Sequence, residues 1–271
     1  MTDNEQQNAQ HTVELPGPVV AAGWLSAHLD DVVVVDVTTV PGGTPTGREV
    51  YESGHIPGAV HADLAGAFSR TDTDLPFMAL DTADFAVQAG TLGIGDGDTV
   101  VVYDQGPTLW AARLWWNLRL EGHDAVAVLD GGLPAWKQTG GLIAAGFENR
   151  APAEFTARRR PELIATTPEV DAAAEDDRVV LVDALSPQEY AGAGHIPGAV
   201  NLPAMSGYPR EEAEACGALD PGKRTITYCH GGITAAMDAL RLAQLGRDDV
   251  AVYDGSLAEW LAASPKNSRT V

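Results

Sequence analysis

Cysteine is scarce in this chain of 271 residues, which contains only Cys216 and Cys229. Two cysteines do not make the disulfide framework of a small secreted domain, and they lack the CxxC or Cys–His spacing of a zinc site. We therefore expect no metal and a reducing, cytoplasmic setting. The chemical question that remains is whether either thiol is reactive.

Long apolar runs and basic residues are scarce as well. No run approaches the ~20 apolar residues of a membrane-spanning helix, and the N-terminal stretch MTDNEQQNAQ lacks the basic and apolar regions of a secretory signal. The 17 basic residues stand against 38 acidic ones, a net charge of −21. Because nucleic acids and anionic membranes are bound through clustered Lys and Arg, we expect neither as a partner. The negative electrostatic field of the protein repels small anions, so a site that binds one would need local hydrogen-bond donors.

The chain repeats itself, since GHIPGAV occurs at residues 54–60 and again at 194–200. Three further blocks recur in the same order: VVVVDV with VVLVDA, TVVVYDQG with RTITYCHG, and VAVLDGGLPAW with VAVYDGSLAEW. Such a pattern indicates a duplicated domain. We predict a first domain over residues 15–145, a linker over 146–161 and a second domain over 162–265. The linker's Arg158–Arg160 run is interpreted as solvated, with a small anion patch as the alternative.

Each half alternates short β-branched runs with helical patterns. The predicted strands are Val32–Asp36, Val60–Ala62, Val100–Asp104 and Ala125–Leu129, then Val179–Asp183, Ala199–Leu202, Thr225–Cys229 and Val250–Tyr253. The predicted helices are Thr82–Gly90, Leu109–Leu120, Ile233–Leu245 and Leu257–Ala262. Runs such as VVVVD are apolar on both faces, as buried parallel strands are. The alternation predicts an α/β fold in which each domain has a mainly parallel sheet flanked by helices.

Cys229 comes at the end of a predicted strand, where ligands gather in parallel sheets. The residues that lead from it into the next helix are His230, Gly231, Gly232, Ile233 and Thr234. Two consecutive glycines allow positive φ and turn N–H groups inward to form an anion-binding nest. The start of the helix adds unpaired N–H donors. A thiolate is stabilised at such a focus, so we predict a reactive nucleophile at Cys229, with a buried, inert cysteine as the alternative.

Other candidate residues are interpreted mainly as structural. Thr234 is expected at the N-cap or in the first helical turn, with substrate positioning as an alternative. His230 could donate a proton, contact an anion or simply face solvent. Cys216 lies among acidic residues, which disfavour its thiolate, so we expect it to be non-catalytic. The histidine of GHIPGAV occurs in both repeats, as His55 and as His195. Because it is also present in the repeat without a cysteine, both are interpreted as buried hydrogen-bonding residues.

The doubled GHIPGAV, the VVYD…WAARLWWNLRLEGH…VLDGG stretch and YCHGGITA…VYDGS…W resemble the tandem-domain rhodanese family over roughly Leu15 to Ala263. The resemblance implies two rhodanese-like domains packed face to face, the first catalytically silent because Asp104 stands in place of the cysteine. It implies a sulfurtransferase, expected to be monomeric, without metal or organic cofactor. Cys229 would take sulfane sulfur from a small anionic donor of the thiosulfate or 3-mercaptopyruvate class. The resulting persulfide, stabilised by the loop after Cys229, would pass its outer sulfur to a thiol or cyanide.

The arginine clamp of the family is missing from this sequence. Leu185 and Ala191 stand where the family usually has arginines that bind the donor's anionic group, and Arg210 or His230 are candidate replacements. The loop CHGGIT matches neither the basic loop of thiosulfate enzymes nor the CGSGVT loop of mercaptopyruvate enzymes. A degenerate rhodanese that acts as a sulfur-relay or binding partner therefore stays open as the alternative. A cysteine phosphatase is disfavoured, because Ala235 stands where its phosphate-binding arginine would be.

Overall fold

A computed structural model describes residues 13–192 and 194–263, so the predicted end of the second domain at residue 265 lies outside the described residues. The first domain contains β1 (Val19–Val20), α1 (Ala22–Ala27), β2 (Val33–Asp36), α2 (Gly47–Ser53), β3 (Val60–His61), α3 (Thr82–Leu92), β4 (Val100–Tyr103), α4 (Leu109–Leu120), β5 (Val126–Leu129) and α5 (Gly132–Gln138). The second contains β6 (Ile164–Ala165), α6 (Thr167–Ala173), β7 (Val179–Asp183), α7 (Pro187–Gly192), β8 (Val200–Asn201), α8 (Arg210–Ala215), β9 (Arg224–Tyr228), α9 (Ile233–Gln244), β10 (Ala251–Tyr253) and α10 (Ser256–Ala263).

The two sheets have the same topology. Their strand orders are β1-β5-β4-β2-β3 and β6-β10-β9-β7-β8, and neighbouring strands pair in parallel. The predicted α/β fold, with a parallel sheet flanked by helices in each domain, is confirmed. β4 and β9 are the central strands, so the residues that follow them lie at the middle of the ligand-binding edge. Among the described residues, no helix is long and apolar enough to cross a membrane.

The bounds of the predicted elements agree closely with the structure. α4 and β7 have the predicted bounds, and most other predicted strands and helices differ by one or two residues at an end. The edge strands β1 and β6 were not predicted, because two paired residues are too few to show a periodicity. Strand β9 ends at Tyr228, which leaves Cys229 free to begin the turn that follows.

The two histidines of the repeated GHIPGAV block make equivalent contacts. His55 is fully buried, stacks on Tyr51 with 4.2 Å between ring centroids, and its Nδ1 lies 3.0 Å from the Tyr51 carbonyl oxygen. His195 is half-buried and stacks on Tyr190 at 3.9 Å. Both rings therefore tie a helix to the turn that precedes the next strand. The structural interpretation is confirmed, with His195 less buried than expected.

The segment between the domains is mostly exposed, but two of its arginines anchor it to the first domain. Arg159 binds the carboxylate of the buried Glu121 and also donates to the Leu80 carbonyl oxygen. Arg160 forms a two-bond pair with Asp124. Arg158 is exposed, as expected of a solvated run, whereas the guanidinium groups of Arg159 and Arg160 are engaged with carboxylates and hold the segment against the end of α4. These two are therefore not open to an anion.

The domains meet along α4 and α9, the helices that follow the two central strands. Trp115 and Trp116 of α4 are buried, and the Trp116 indole donates to the Leu163 carbonyl oxygen at 3.0 Å. Because α9 begins directly after the loop that contains Cys229, side chains near the start of α4 lie within reach of that loop.

A buried carboxyl group in α9 makes the stability of the fold pH-dependent. Burial raises the pKa of Asp238 to about 7, although the Tyr208 hydroxyl donates to it and Arg241 attracts it. The folded state thus holds this proton more tightly than the unfolded chain. The stabilisation is complete below the unfolded pKa and is lost as the pH rises through about 7.

We expect the free energy of unfolding of the wild type to fall, relative to Asp238→Asn, as the pH rises from about 4 to about 8. The relative loss should amount to a few kcal/mol, since each pKa unit corresponds to about 1.4 kcal/mol. Urea unfolding at several pH values measures it. Asp177→Asn, at an exposed position, should give a curve parallel to the wild type. A parallel curve for Asp238→Asn as well would contradict the prediction.

Candidate active site

Cys229 is fixed between the end of β9 and the start of α10. Its side chain is buried, with 2% of the residue exposed. Its carbonyl oxygen accepts from the Leu257 amide at 3.0 Å, and its own amide donates to Ser256 Oγ at 3.1 Å. Ser256 Oγ also lies 4.0 Å from Cys229 Sγ. A hydroxyl group is thus the nearest side-chain donor to the sulfur among these contacts.

The loop after Cys229 uses one of its glycines for the turn. Gly232 has φ +80° and is the N-cap of α9, whereas Gly231 does not adopt a left-handed conformation. Of the two glycines that allow a positive φ, only Gly232 adopts one. Ile233 is the first residue of α9 and is buried, and Thr234 lies half-buried in the first turn. The first-turn placement of Thr234 is confirmed, and the N-cap is Gly232.

The first domain shows what this kind of loop binds. Asp104 follows β4 and its carboxylate accepts four backbone hydrogen bonds. Oδ1 accepts from the amides of Gly106 and Thr108 at 2.9 and 3.1 Å, and Oδ2 from those of Trp110 and Ala111 at 3.0 and 3.2 Å. The loop and the first turn of α4 therefore form an anion-binding nest that the domain's own carboxylate occupies.

Cys229 holds the corresponding place in the second domain. The Leu257 amide donates to its carbonyl oxygen at 3.0 Å, just as the Leu133 amide donates to that of Asp104 at 2.9 Å. Within residues 13–192 and 194–263, the amides of residues 230–235 find no hydrogen-bond acceptor. The donors that hold a carboxylate in the first domain are thus left in the second for an anion centred on Cys229.

The structure excludes one candidate replacement for the missing arginine clamp. Leu185 is buried just after β7, beside the Cys229 strand. Arg210 pairs with Glu214 and donates to the Leu245 carbonyl oxygen, at the opposite end of α9 from the loop. Arg210 therefore does not reach the site, and that suggestion is wrong.

His230 lies at the exposed rim of the loop. It is within electrostatic reach of Glu189, whose pKa is lowered first by hydrogen bonds from Ser186 and to a smaller extent by His230. A carboxylate close to the imidazole offsets its attraction for an anionic donor. His230 is therefore a poor substitute for a pair of arginines, although it remains the side chain adjacent to the nucleophile.

Cys216, the other cysteine, does not lie in a loop of this kind. Cys216 is the C-cap of α8, and burial raises the pKa of its thiol, with a smaller contribution from the Asp238 carboxylate. Burial is the main cause of the raised pKa, and the acidic neighbour Glu212 adds a smaller contribution in the expected direction. Both cysteines are free thiols. Among the described residues there is also no cluster of His, Cys, Asp and Glu side chains that could hold a metal ion.

Three residues near the loop were missed by sequence reasoning. Ser256 could have been found, because its block reads DGS where the first domain has DGG with Gly132. Arg113 and Asp254 form a buried ion pair of 2.5 Å beside Gly232. Nothing in the sequence pairs them, since they come from different domains and their contact depends on how α4 meets α9.

A second sheet that repeats the first, with a cysteine in the loop where the first has a carboxylate, defines a tandem-domain α/β protein with a candidate cysteine nucleophile. The chain belongs to the rhodanese family: the model of the rhodanese-like domain matches residues 21–139 and 166–263. Two matched segments in one chain also agree with the duplicated topology.

Several relatives and solved structures support this assignment. The chain is 32% identical over 264 residues to 3-mercaptopyruvate sulfurtransferase of Escherichia coli, covering 89% of this chain and 94% of the relative. It is 34% identical over 243 residues to the human enzyme of the same name (81% and 82%), and 32% identical over 282 residues to rat thiosulfate sulfurtransferase (93% and 94%). The crystal structure of SseA from Escherichia coli matches with a TM-score of 0.79 and 32% identity over 89% of this chain and 98% of that one. The chain is accordingly a sulfurtransferase, and the comparisons favour an enzyme over a non-enzymatic partner protein.

Proposed function

We propose that Cys229 carries sulfur as a persulfide between a small anionic donor and a nucleophilic acceptor. The thiolate attacks the sulfane sulfur, the bond between that sulfur and the rest of the donor breaks, and the leaving group departs with the electron pair. The acceptor, a thiolate or cyanide, then attacks the outer sulfur. The S–S bond of the persulfide breaks and its electrons return to Cys229 as thiolate, so no net oxidant is needed.

The comparison of Asp104 with Cys229 is the observation that carries this proposal. A carboxylate bound by four amides in the first loop indicates that the second loop suits a negatively charged group of similar size. A thiolate is one such group, and the terminal sulfur of a persulfide is another. The amides of residues 230–235 would stabilise both the starting thiolate and the covalent intermediate, as an oxyanion hole stabilises developing charge.

The same comparison supports a division of labour between the domains. The proposed first domain, residues 15–145, is catalytically silent because Asp104 is not a sulfur nucleophile and already fills its own nest. The linker, 146–161, joins it to the catalytic second domain, 162–265. Residues 230–234 form the persulfide-stabilising loop. We further propose a monomer in a reducing, cytoplasmic setting, which agrees with two free thiols.

The donor is proposed to belong to the thiosulfate or 3-mercaptopyruvate class, because the relatives named above, which are similar to this chain, are named for these two donors. With Leu185 and Ala191 in place of arginines, binding depends on loop amides rather than on a cationic clamp. Since each charged hydrogen bond to an anion contributes on the order of 1.5–3 kcal/mol, we expect weak donor binding and a high KM.

Steady-state kinetics with thiosulfate and with 3-mercaptopyruvate, each against cyanide and a small thiol, test the proposed function. A persulfide intermediate predicts parallel double-reciprocal lines, because donor product leaves before the acceptor reacts. Cys216→Ser should behave like the wild type. Absence of turnover with both donors, or intersecting lines, would favour a mechanism without the Cys229 intermediate.

A further inference from the structure

We propose that Arg113 of the silent domain is a positioning residue for the catalytic loop of the second domain. This proposal rests on the proposed role of Cys229. The guanidinium group is completely buried. Its Nη1 donates to the Gly232 carbonyl oxygen at 3.3 Å, and its Nη2 donates to the Phe77 carbonyl oxygen at 2.6 Å and pairs with Asp254 Oδ1 at 2.5 Å. One side chain thus joins both domains at the N-cap of α9.

The contact with Gly232 fixes the orientation of a peptide group. The Gly232 carbonyl oxygen also accepts from the Ala236 amide at 3.3 Å, the first hydrogen bond of α9. Because the peptide unit is planar and trans, a carbonyl held towards Arg113 turns the N–H of Ile233 away from it. Arg113 therefore sets the start of α9, whose unpaired amides face the loop that contains Cys229.

Asp254 makes this arrangement possible in a buried site. It neutralises Arg113, and its Oδ2 accepts from the Ala79 amide of the first domain at 2.8 Å. Gly232 lies so close to the pair that an added Cβ would come within 2.5 Å of the Asp254 carbonyl oxygen and 3.1 Å of Arg113 Nη1. Gly232 is thus packed directly against the ion pair, which limits movement of the N-cap of α9 in that direction.

The silent domain lacks the equivalent support. Met237 is the fifth residue of α9, as Arg113 is the fifth of α4, and Asp130 directly follows β5, as Asp254 follows β10. Met237, Asp130 and Arg241 line one cavity, but Asp130 is exposed and forms no ion pair in the described part of the chain, whereas Asp254 is buried and paired with Arg113. The cross-domain ion pair is therefore formed only towards the loop that performs chemistry.

The double variant Arg113→Met/Asp254→Asn tests the proposal without leaving a buried charge unpaired. In a Cys216→Ser background, the rate of Cys229 alkylation by iodoacetamide is measured against pH. We expect the midpoint of thiolate formation to rise by about one pH unit, so that alkylation near neutral pH slows about tenfold. Sulfur transfer should slow in parallel, mainly through kcat, because Arg113 is completely buried and contacts the loop rather than the solvent from which the donor arrives.

Two further variants complete the test. Asp130→Asn, the matched change in the silent domain, should keep the wild-type alkylation profile. Arg113→Lys keeps the cation but lacks the planar fork that reaches several acceptors, so a smaller shift in the same direction is expected. A wild-type midpoint of thiolate formation in the folded double variant would overturn the proposal. If the double variant does not unfold cooperatively, a wild-type midpoint in Arg113→Lys would overturn it. Because alkylation does not require a sulfur donor, this result is separate from any failure of the proposed sulfur transfer.

Discussion

Replacing Cys229 by Ser should lower kcat for sulfur transfer by at least about a thousandfold, as expected when a covalent nucleophile is removed. The serine hydroxyl fits the same space beside Ser256 but is not ionised near neutral pH and is a poor nucleophile towards sulfur. The loop amides and the fold remain, so donor binding should persist. Steady-state assays with thiosulfate and 3-mercaptopyruvate measure the loss.

Cys216→Ser provides the matched control, because it removes the other thiol from a half-buried position at the end of α8. It should retain the wild-type kcat. Both variants should melt cooperatively, since neither cysteine forms a disulfide. Comparable losses in the two variants, or retention of activity in Cys229→Ser, would mean that sulfur is carried elsewhere.

The second large effect is expected at Gly232. Its φ of +80° costs a residue with a side chain about 1–2 kcal/mol. An added methyl group would also meet the Asp254 backbone oxygen at 2.5 Å, a contact that backbone must move to relieve. Gly232→Ala should therefore lower the free energy of unfolding by a few kcal/mol and displace the start of α9. We expect kcat/KM to fall at least about tenfold, since α9 would no longer present its amides to Cys229.

The neighbouring glycine separates this effect from a general sensitivity of the loop. At Gly231 the backbone is not left-handed, and the nearest atom to an added Cβ is Pro76 Cγ at 3.9 Å. Gly231→Ala should keep the free energy of unfolding within about 1 kcal/mol of the wild type, because a compatible Gly→Ala change acts mainly on the unfolded chain. Urea unfolding of both variants checks this. Equal destabilisation would contradict the assigned role of Gly232.

Much of the fold could be predicted from the sequence because the same sequence blocks occur in both domains. Repeated blocks and strands such as VVVVD and VVLVD predicted two parallel sheets, and the strand–Cys–Gly–Gly–helix order located the loop. These signals are local, and they depend on buried strands that cannot be confused with solvent-facing ones. The bounds of the helix α4 were predicted to the residue.

What escaped prediction depends on contacts between distant parts of the chain. The Arg113–Asp254 pair joins an interior helix position to a strand end in the other domain, and neither residue carries a pattern of its own. Of the two loop glycines, Gly232 alone has a positive φ because α9 begins directly after it. From the sequence, either glycine of the pair could precede the helix. The engagement of Arg159 with Glu121 likewise follows from how the linker crosses α4.

Intact-mass analysis after incubation with donor tests most directly whether Cys229 carries sulfur. The wild type and Cys216→Ser should gain the mass of one sulfur atom with thiosulfate or 3-mercaptopyruvate, and should lose it again on addition of cyanide. Cys229→Ser should gain nothing. A sulfur adduct that persists in Cys229→Ser, or a wild type that gains no sulfur from either donor, would contradict the assignment of Cys229 as the sulfur carrier.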